Sequence, residues 1–181
     1  MSAEIADRKT EVLIRAAEIS DVNNLTVLKQ QVWIATYAVE GIRTEFSTYV
    51  LSEFTSDKLL ETILDKNKIL LIAEIDNHLV GCVEVSLRCD CPVDLVQDQP
   101  EIAVLYVLER YTGVGIGLKL LTEALSELKE KDFKAAWLTV YHKNERALKF
   151  YTKNNFRIVG ITSFEMDGNQ YENKVMMVDL K

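Results

Sequence analysis

Apolar residues fall along the chain in runs whose spacing switches between a strand period and a helix period. Residues 12–15 predict a short first strand. Ser20 or Asp21 can cap a helix that carries Val22, Leu25, Leu28, Val32 and Trp33 at three-to-four-residue spacing. Leu59, Leu60, Ile63 and Leu64 repeat that spacing and predict a second helix after Ser56. Between the two, residues 37–55 hold no clear period and are expected to be irregular, a candidate substrate-side loop. Residues 69–75 and 79–87 flank the turn signal Asp76-Asn77 and predict a β-hairpin. A polar loop over 88–100 leads into a strongly apolar strand over 101–107 and a glycine-rich turn over 111–117. The next helix presents Leu118, Leu121, Ala124, Leu125 and Leu128 on one face. A strand over 135–141 follows, then a helix capped by Asn144 with Ala147, Phe150 and Tyr151. Asn155 is placed to end that helix in the left-handed conformation. Residues 156–166 and 170–180 close the chain as a hairpin around Asp167-Gly168-Asn169. The order β, α, α, β, β, β, α, β, α, β, β predicts an α/β fold, a single mixed β-sheet with helices on both faces.

Composition narrows the class. A chain of 181 residues with no internal repeat and no Pro/Ser-rich linker is expected to form one domain over 1–181, with the polar stretch 1–10 flexible. Apolar residues make up 48% of it, enough for a substantial core. The net charge of −7 argues against a nucleic-acid partner and is compatible with a cationic one. Residues 1–10 lack the apolar segment of a signal peptide, and no run has the length of a membrane span, so a cytoplasmic protein with no membrane partner is expected. The cysteines, Cys82, Cys89 and Cys91, are odd in number, which argues against a structural disulfide. Grouped with His78 they match no common zinc spacing, and no metal is expected.

The chemistry is concentrated in EIAVLYVLERYTGVGIGLKLL, residues 101–121. A buried strand runs into a turn with Gly113, Gly115 and Gly117, and the turn opens a helix. Glycines on alternate positions let backbone N–H groups converge, and the helix N-terminus adds attraction for an anion, so a phosphate-binding turn is the functional reading. A ligand-free glycine turn would look the same in sequence. The Walker pattern fails because Leu118 and Lys119 follow Gly117, and the dinucleotide fingerprint fails because the three glycines are evenly spaced.

The run LYVLERYTGVGIGLKLL closely resembles the acetyl-CoA motif of the GCN5-related N-acetyltransferase (GNAT) superfamily, and WLTVYHKNERALKFYTKNNF, 137–156, resembles its second signature. The order of elements from Val12 to Leu180 is similar too. The resemblance implies the GNAT fold with two splayed central parallel strands, acetyl-CoA as cosubstrate, and an enzyme that transfers the acetyl group to a primary amine by direct attack. It implies a pyrophosphate cradle over Thr112, Gly113, Val114, Gly115, Ile116, Gly117 and Leu118, with Thr112 standing where the family usually has Gln or Arg. It implies a pantetheine arm lying along Leu105, Tyr106 and Val107 like an added strand, with the Val107 N–H toward the thioester carbonyl.

Asn144 matches an asparagine that contacts CoA, and it also reads as a plain helix cap. Tyr151 matches a tyrosine proposed to protonate the leaving thiolate, and it also reads as a core aromatic. Lys153, with Lys149 and Lys143, can neutralise CoA phosphates or simply form a solvated face. Glu101 resembles the carboxylate many members place at the head of the central strand, and is the first candidate for general base. A strand-end surface glutamate is the equal alternative. Glu84 is second, and His78 and His142 read better as surface histidines.

The tail SFEMDGNQYENKVMMVDL and the segment WIATY are similar to bacterial spermidine/spermine N-acetyltransferases, which points to a polyamine, although Thr162 and Asn173 stand where those relatives tend to have His and Asp. Protein N-terminal or other small-amine acetylation is the enzymatic alternative. A non-catalytic acyl-CoA-binding sensor or scaffold is the alternative of another class. Dimers are common in the family, which makes a homodimer the expected assembly.

Overall fold

The computed structural model describes residues 11–94, 98–166 and 168–180. The stretch expected to be flexible, 1–10, and Asp167 of the closing turn lie outside the described residues. The strands are β1 (Leu13–Ala16), β2 (Lys68–Ile75), β3 (His78–Ser86), β4 (Glu101–Val107), β5 (Ala135–Tyr141), β6 (Arg157–Met166) and β7 (Asn169–Asp179). They form one mixed sheet in the order β1-β2-β3-β4-β5-β7-β6. Neighbours run antiparallel except β4 and β5, which are parallel. The helices are α1 (Val22–Tyr37), α2 (Thr44–Glu53), α3 (Ser56–Leu64), α4 (Ile116–Glu130) and α5 (Glu145–Lys153). Among the described residues no helix is long and apolar enough to cross a membrane.

Strand alternation divides the core between the two faces. On one face Leu25 and Leu28 of α1 and Leu59 of α3 pack on Leu70, Ile72 and Cys82. On the other, Leu120, Leu121, Ala124 and Leu128 of α4, with Tyr151 of α5, pack on Leu71, Val83, Val85, Ala136 and Leu138. Each fully buried Leu or Ile stabilises the fold by roughly 1.5–3 kcal/mol. Where β5 and β7 present Trp137, Val175 and Met177 to the first face, the loop residues Cys89, Cys91 and Val93 cover them in place of a helix.

The turn between β2 and β3 holds Asp76 and Asn77 at φ 49° and 62°, the two left-handed residues of a type I′ hairpin. Helix α5 ends in a Schellman motif: Phe156 N–H donates to Tyr151 O, Asn155 N–H donates to Thr152 O, and Asn155 sits at φ 67° as expected.

Three expectations need correction. Residues 37–55 are not irregular throughout, because α2 occupies Thr44–Glu53. Its sequence, TEFSTYVLSE, is rich in Ser, Thr and β-branched residues with weak helix propensity, and tertiary burial of Phe46 and Val50 one turn apart holds it. Asp21 stands at the start of α1 but makes no side-chain cap to it; its carboxylate accepts from the two terminal guanidinium nitrogens of Arg15 and from Glu18 N–H. Leu118 faces solvent, because α4 starts at Ile116 and the buried stripe is set by Ile116, Leu120, Leu121, Ala124 and Leu128.

Strand β4 departs from regular pairing in a way that shapes everything near it. Glu84 pairs with Val104 but Val85 pairs with Ile102, so Ala103 is an extra residue on β4, a bulge that bends the strand. Between β4 and β5 the one registered pair among the described residues is Glu101 with Trp137. That end is stitched tightly. Trp137 N–H donates to Pro100 O at 3.0 Å and Trp137 Nε1 to Gln99 O at 2.9 Å. Gln99 Oε1 accepts from the Ala135 N–H at 3.0 Å. From there the two strands diverge, the splay that the family resemblance implied.

Gly81 sets how closely β3 approaches the far end of β4. A Cβ at that position would lie 2.9 Å from the Tyr106 carbonyl oxygen and 3.1 Å from a Leu120 methyl. Gly81→Ala therefore must push Tyr106 and Val107 away from β3, and we expect destabilisation of roughly 1–3 kcal/mol. Thermal denaturation of the variant checks this; an unchanged midpoint would mean that β4 yields freely.

Candidate functional site

The mouth of the V between β4 and β5 is built from backbone. Leu108 N–H donates to Val80 O, which makes the Gly81–Val107 pair a non-hydrogen-bonded one. The N–H and C=O of Val107, and by alternation those of Leu105, therefore face away from β3 and toward the gap. Tyr106 alternates the other way: its backbone belongs to the β3 ladder and its side chain to the α1 face. Of the three residues expected to line the arm of a ligand, two offer free backbone groups and the third offers a ring.

Directly after β4 a short 3-10 turn, Glu109–Tyr111, leads to Thr112. The Thr112 hydroxyl and its N–H both donate to Glu109 O, at 2.9 and 3.1 Å, so the hydroxyl is engaged within the turn. Gly113 and Gly115 follow at φ 79° and 92°, a left-handed conformation that other residues adopt only under strain. The first intrahelical bond of α4 is Lys119 N–H to Gly115 O, which leaves the amides of Ile116, Gly117 and Leu118 as its free first turn. These amides and the positive end of the helix dipole lie together at the start of α4, an arrangement that can attract an anion.

On the opposite lip, Asn144 Oδ1 caps α5 by accepting from Ala147 N–H at 3.1 Å, and its amide NH2 remains a donor group. Arg146 reaches back to Glu109 with two contacts of 2.9 and 3.0 Å, though both side chains are largely exposed and the pair contributes little. Tyr151 is 9% exposed, with edge-on packing against Phe150 and Phe156. Burial, with Tyr37 nearby, pushes its phenol well above the ordinary value. Lys153 is exposed in the last turn of α5.

The two candidate bases differ sharply. Glu84 is buried and accepts from Lys29 Nζ at 2.5 Å and from Lys68 Nζ at 2.6 Å. Burial opposes its charge, but the two lysines prevail and hold its carboxyl below the usual range. A carboxylate clamped by two cations is a poor proton acceptor, which counts against Glu84 as a base. Glu101 is half-buried, and burial followed by repulsion from Glu84 raises its carboxyl, with Lys68 pulling the other way. A raised carboxyl is the better base near neutral pH. His78 and His142 place Nδ1 against the carbonyl oxygens of Asp76 and Glu172, at the hairpin turn and beyond β5.

The α1 side of the site is aromatic, and sequence reasoning did not find it. Trp33 stacks near Tyr37 at 4.8 Å and Tyr49 at 5.0 Å; Tyr37 meets Tyr141 at 5.8 Å; Tyr49 meets Phe164 at 5.6 Å. Tyr171 OH donates to Glu45 at 3.4 Å. The rings come from α1, α2, β5, β6 and β7. Tyr37 lies close enough to raise the phenols of both Tyr151 and Tyr106, so the wall adjoins the V. The buried lysine was within reach of sequence. Lys29 lies four residues from both Leu25 and Trp33 on the apolar stripe of α1, and Glu84 interrupts an apolar strand, two opposite charges in two apolar faces.

Thr162 and Asn173, the departures from the polyamine relatives, face each other across β6 and β7.

The acetyltransferase (GNAT) family model matches residues 34–156 of the chain. An uncharacterized N-acetyltransferase of Mycobacterium tuberculosis is 30% identical over 132 residues, 73% of this chain and 80% of that protein. Spermidine N(1)-acetyltransferase of Thermoplasma acidophilum is 28% identical over 151 residues, 80% of this chain and 88% of that protein. The crystal structure of PaiA N-acetyltransferase of Thermoplasma acidophilum, in complex with coenzyme A, superposes with a TM-score of 0.74 at 25% identity, covering 93% of this chain and 99% of that one.

Proposed function

The chain belongs to the acetyltransferase (GNAT) family, and from that premise we propose that it acetylates a primary amine of a polyamine such as spermidine, as one N-acetyltransferase domain. The observation that carries the reading is the parallel pair β4–β5 opening beside the glycine turn. Backbone donors of Leu105 and Val107 face the gap between the strands, and those of the first turn of α4 lie free where the chain leaves β4. Those donors suit the amide-rich arm and the pyrophosphate of acetyl-CoA, which supplies the acetyl group and a thiolate leaving group. No metal is needed.

Each residue then has a definable task. A lysine-like ammonium has a pKa near 10.4, so at pH 7 roughly one molecule in a few thousand is the free amine. Glu101 takes the proton, directly or through water. The Val107 N–H donates to the thioester oxygen as negative charge gathers there. Tyr151, protonated throughout the neutral range, gives its proton to the departing sulfur and is restored, directly or through water, by the second proton that the nitrogen sheds as the amide forms. Asn144 and Lys153 hold the cosubstrate from the α5 side. The wall of Tyr37, Tyr49 and Tyr141 suits a cationic chain, since ring faces attract ammonium groups by about 0.5–2 kcal/mol each. The spermidine acetyltransferase among the relatives supports the same acceptor class.

The test is CoA release with acetyl-CoA and a panel of spermidine, spermine, amino acids, amino sugars and short peptides. Turnover on the polyamines is the expected result. Turnover on peptides alone would overturn the acceptor, and failure to bind acetyl-CoA would overturn the reading as a whole.

A further inference from the structure

The Lys29–Glu84–Lys68 cluster joins two cations to one carboxylate, so it carries one positive charge more than it needs for its own neutrality. Registers explain where that charge sits. Lys68 pairs with Ser86 across β2 and β3, and Ser86 pairs with Glu101 across β3 and β4. The three side chains form one row on the α1 face, and Glu84, two residues before Ser86, shares that face. Lys29 reaches Glu84 from α1. The lysines are not equivalent: the Lys29 side chain is 8% exposed, Lys68 29%. Lys29 alone can neutralise Glu84, so the charge of Lys68 is available to the other carboxylate in its row.

The remaining titratable groups facing Glu101 are the thiols of Cys89 and Cys91, in the loop after β3. Burial raises both, so they are uncharged near neutral pH and contribute no field there. Glu101 is thus governed by burial and Glu84 on one side and Lys68 on the other.

We propose that Lys68 is a positioning residue for proton removal: bonded to Glu84 and standing in the same row as Glu101, with Ser86 between, its charge keeps the Glu101 carboxylate ionised so that it can accept the proton of the acceptor ammonium. The proposal rests on Glu101 being the general base. It accounts for a lysine at the open edge of a cluster whose buried half is already neutral.

The experiment compares kcat/KM of Lys68→Met and Lys68→Arg with wild type from about pH 5 to about pH 8. Taking the ratio to wild type at each pH cancels the acceptor's own ionisation. For Lys68→Met the ratio is expected to fall by about threefold or more at the acid end and to recover toward the alkaline end. Lys68→Arg is expected to follow wild type. A ratio that is flat with pH, or an arginine variant no better than methionine, overturns the proposal. Titration of Glu101 followed through its 13C-labelled carboxyl separates the two ways of failing. A midpoint that does not rise in Lys68→Met shows that Lys68 exerts no control. A midpoint that rises while the rate ratio stays flat shows instead that Glu101 is not the base, and removes the premise.

Discussion

Replacing Tyr151 with phenylalanine is expected to lower kcat by roughly 10²–10⁴-fold, the range typical of a lost general acid. The substitution is clean. Phenylalanine keeps the edge-on contacts with Phe150 and Phe156, and the part Tyr151 plays in the Schellman motif that ends α5 is through its backbone carbonyl. Acetyl-CoA affinity and the thermal midpoint should therefore stay near wild type while turnover collapses. Without a donor, the sulfur must leave as a bare thiolate. Because burial holds the phenol above its ordinary value of 10.0, it remains protonated through neutral and mildly alkaline pH. No alkaline fall in kcat from this group is expected in that range. Steady-state kinetics at saturating acetyl-CoA, with binding measured by calorimetry, decides the point. A kcat within a few-fold of wild type would return Tyr151 to the core as a packing residue.

The double substitution Gly113→Ala with Gly115→Ala is expected to weaken acetyl-CoA binding by about 2–4 kcal/mol, or roughly 30- to 1,000-fold in Kd, at about 1–2 kcal/mol for each left-handed residue that gains a side chain. At both positions an added Cβ would meet nothing within 4 Å, so crowding by neighbours does not enter. The loss comes from the backbone alone: alanine relaxes away from φ 79° and 92°, and the amides of the α4 first turn swing out of convergence. Gly117 provides the internal control. It lies inside α4, and its added Cβ would meet Phe150 and Val107 carbons at 3.8 Å, an ordinary contact. Gly117→Ala should stabilise the helix by about 0.5–1 kcal/mol and lose far less affinity. A loss for Gly117→Ala as large as that of the double variant would mean that the ligand needs the space rather than the backbone conformation.

Tyr151 and the glycines are local features, and local features are what the chain reveals before it folds. Asp76-Asn77 specifies its hairpin because two residues that tolerate positive φ are needed side by side. Asn144 caps α5, and Asn155 ends it, through bonds within a few residues. The strands over 101–107 and 135–141 are apolar runs with the bounds observed. The glycine turn was visible for the same reason, and so was the family whose signature it carries.

The rest depended on contacts made far along the chain. Helix α2 has no local reason to form and exists because Phe46 and Val50 find Trp33 and its neighbours. The aromatic wall gathers rings from five elements; Tyr171 meets Glu45 across 126 positions. Lys29 and Glu84, 55 positions apart, are each an interruption in an apolar face until tertiary packing joins them. That pairing sets the two glutamates apart, leaving Glu84 clamped and Glu101 raised, a distinction that two glutamates near the ends of two strands do not carry in sequence. The sequence by itself determined the order of elements, the glycine turn and the placement of Tyr151, because helix caps, turns and periodicity act over a few residues. Only the tertiary structure decided how β4 parts from β5, which carboxylate is clamped by lysines and which rings gather beside α1, because burial and charge pairing are set by whichever distant segments pack together.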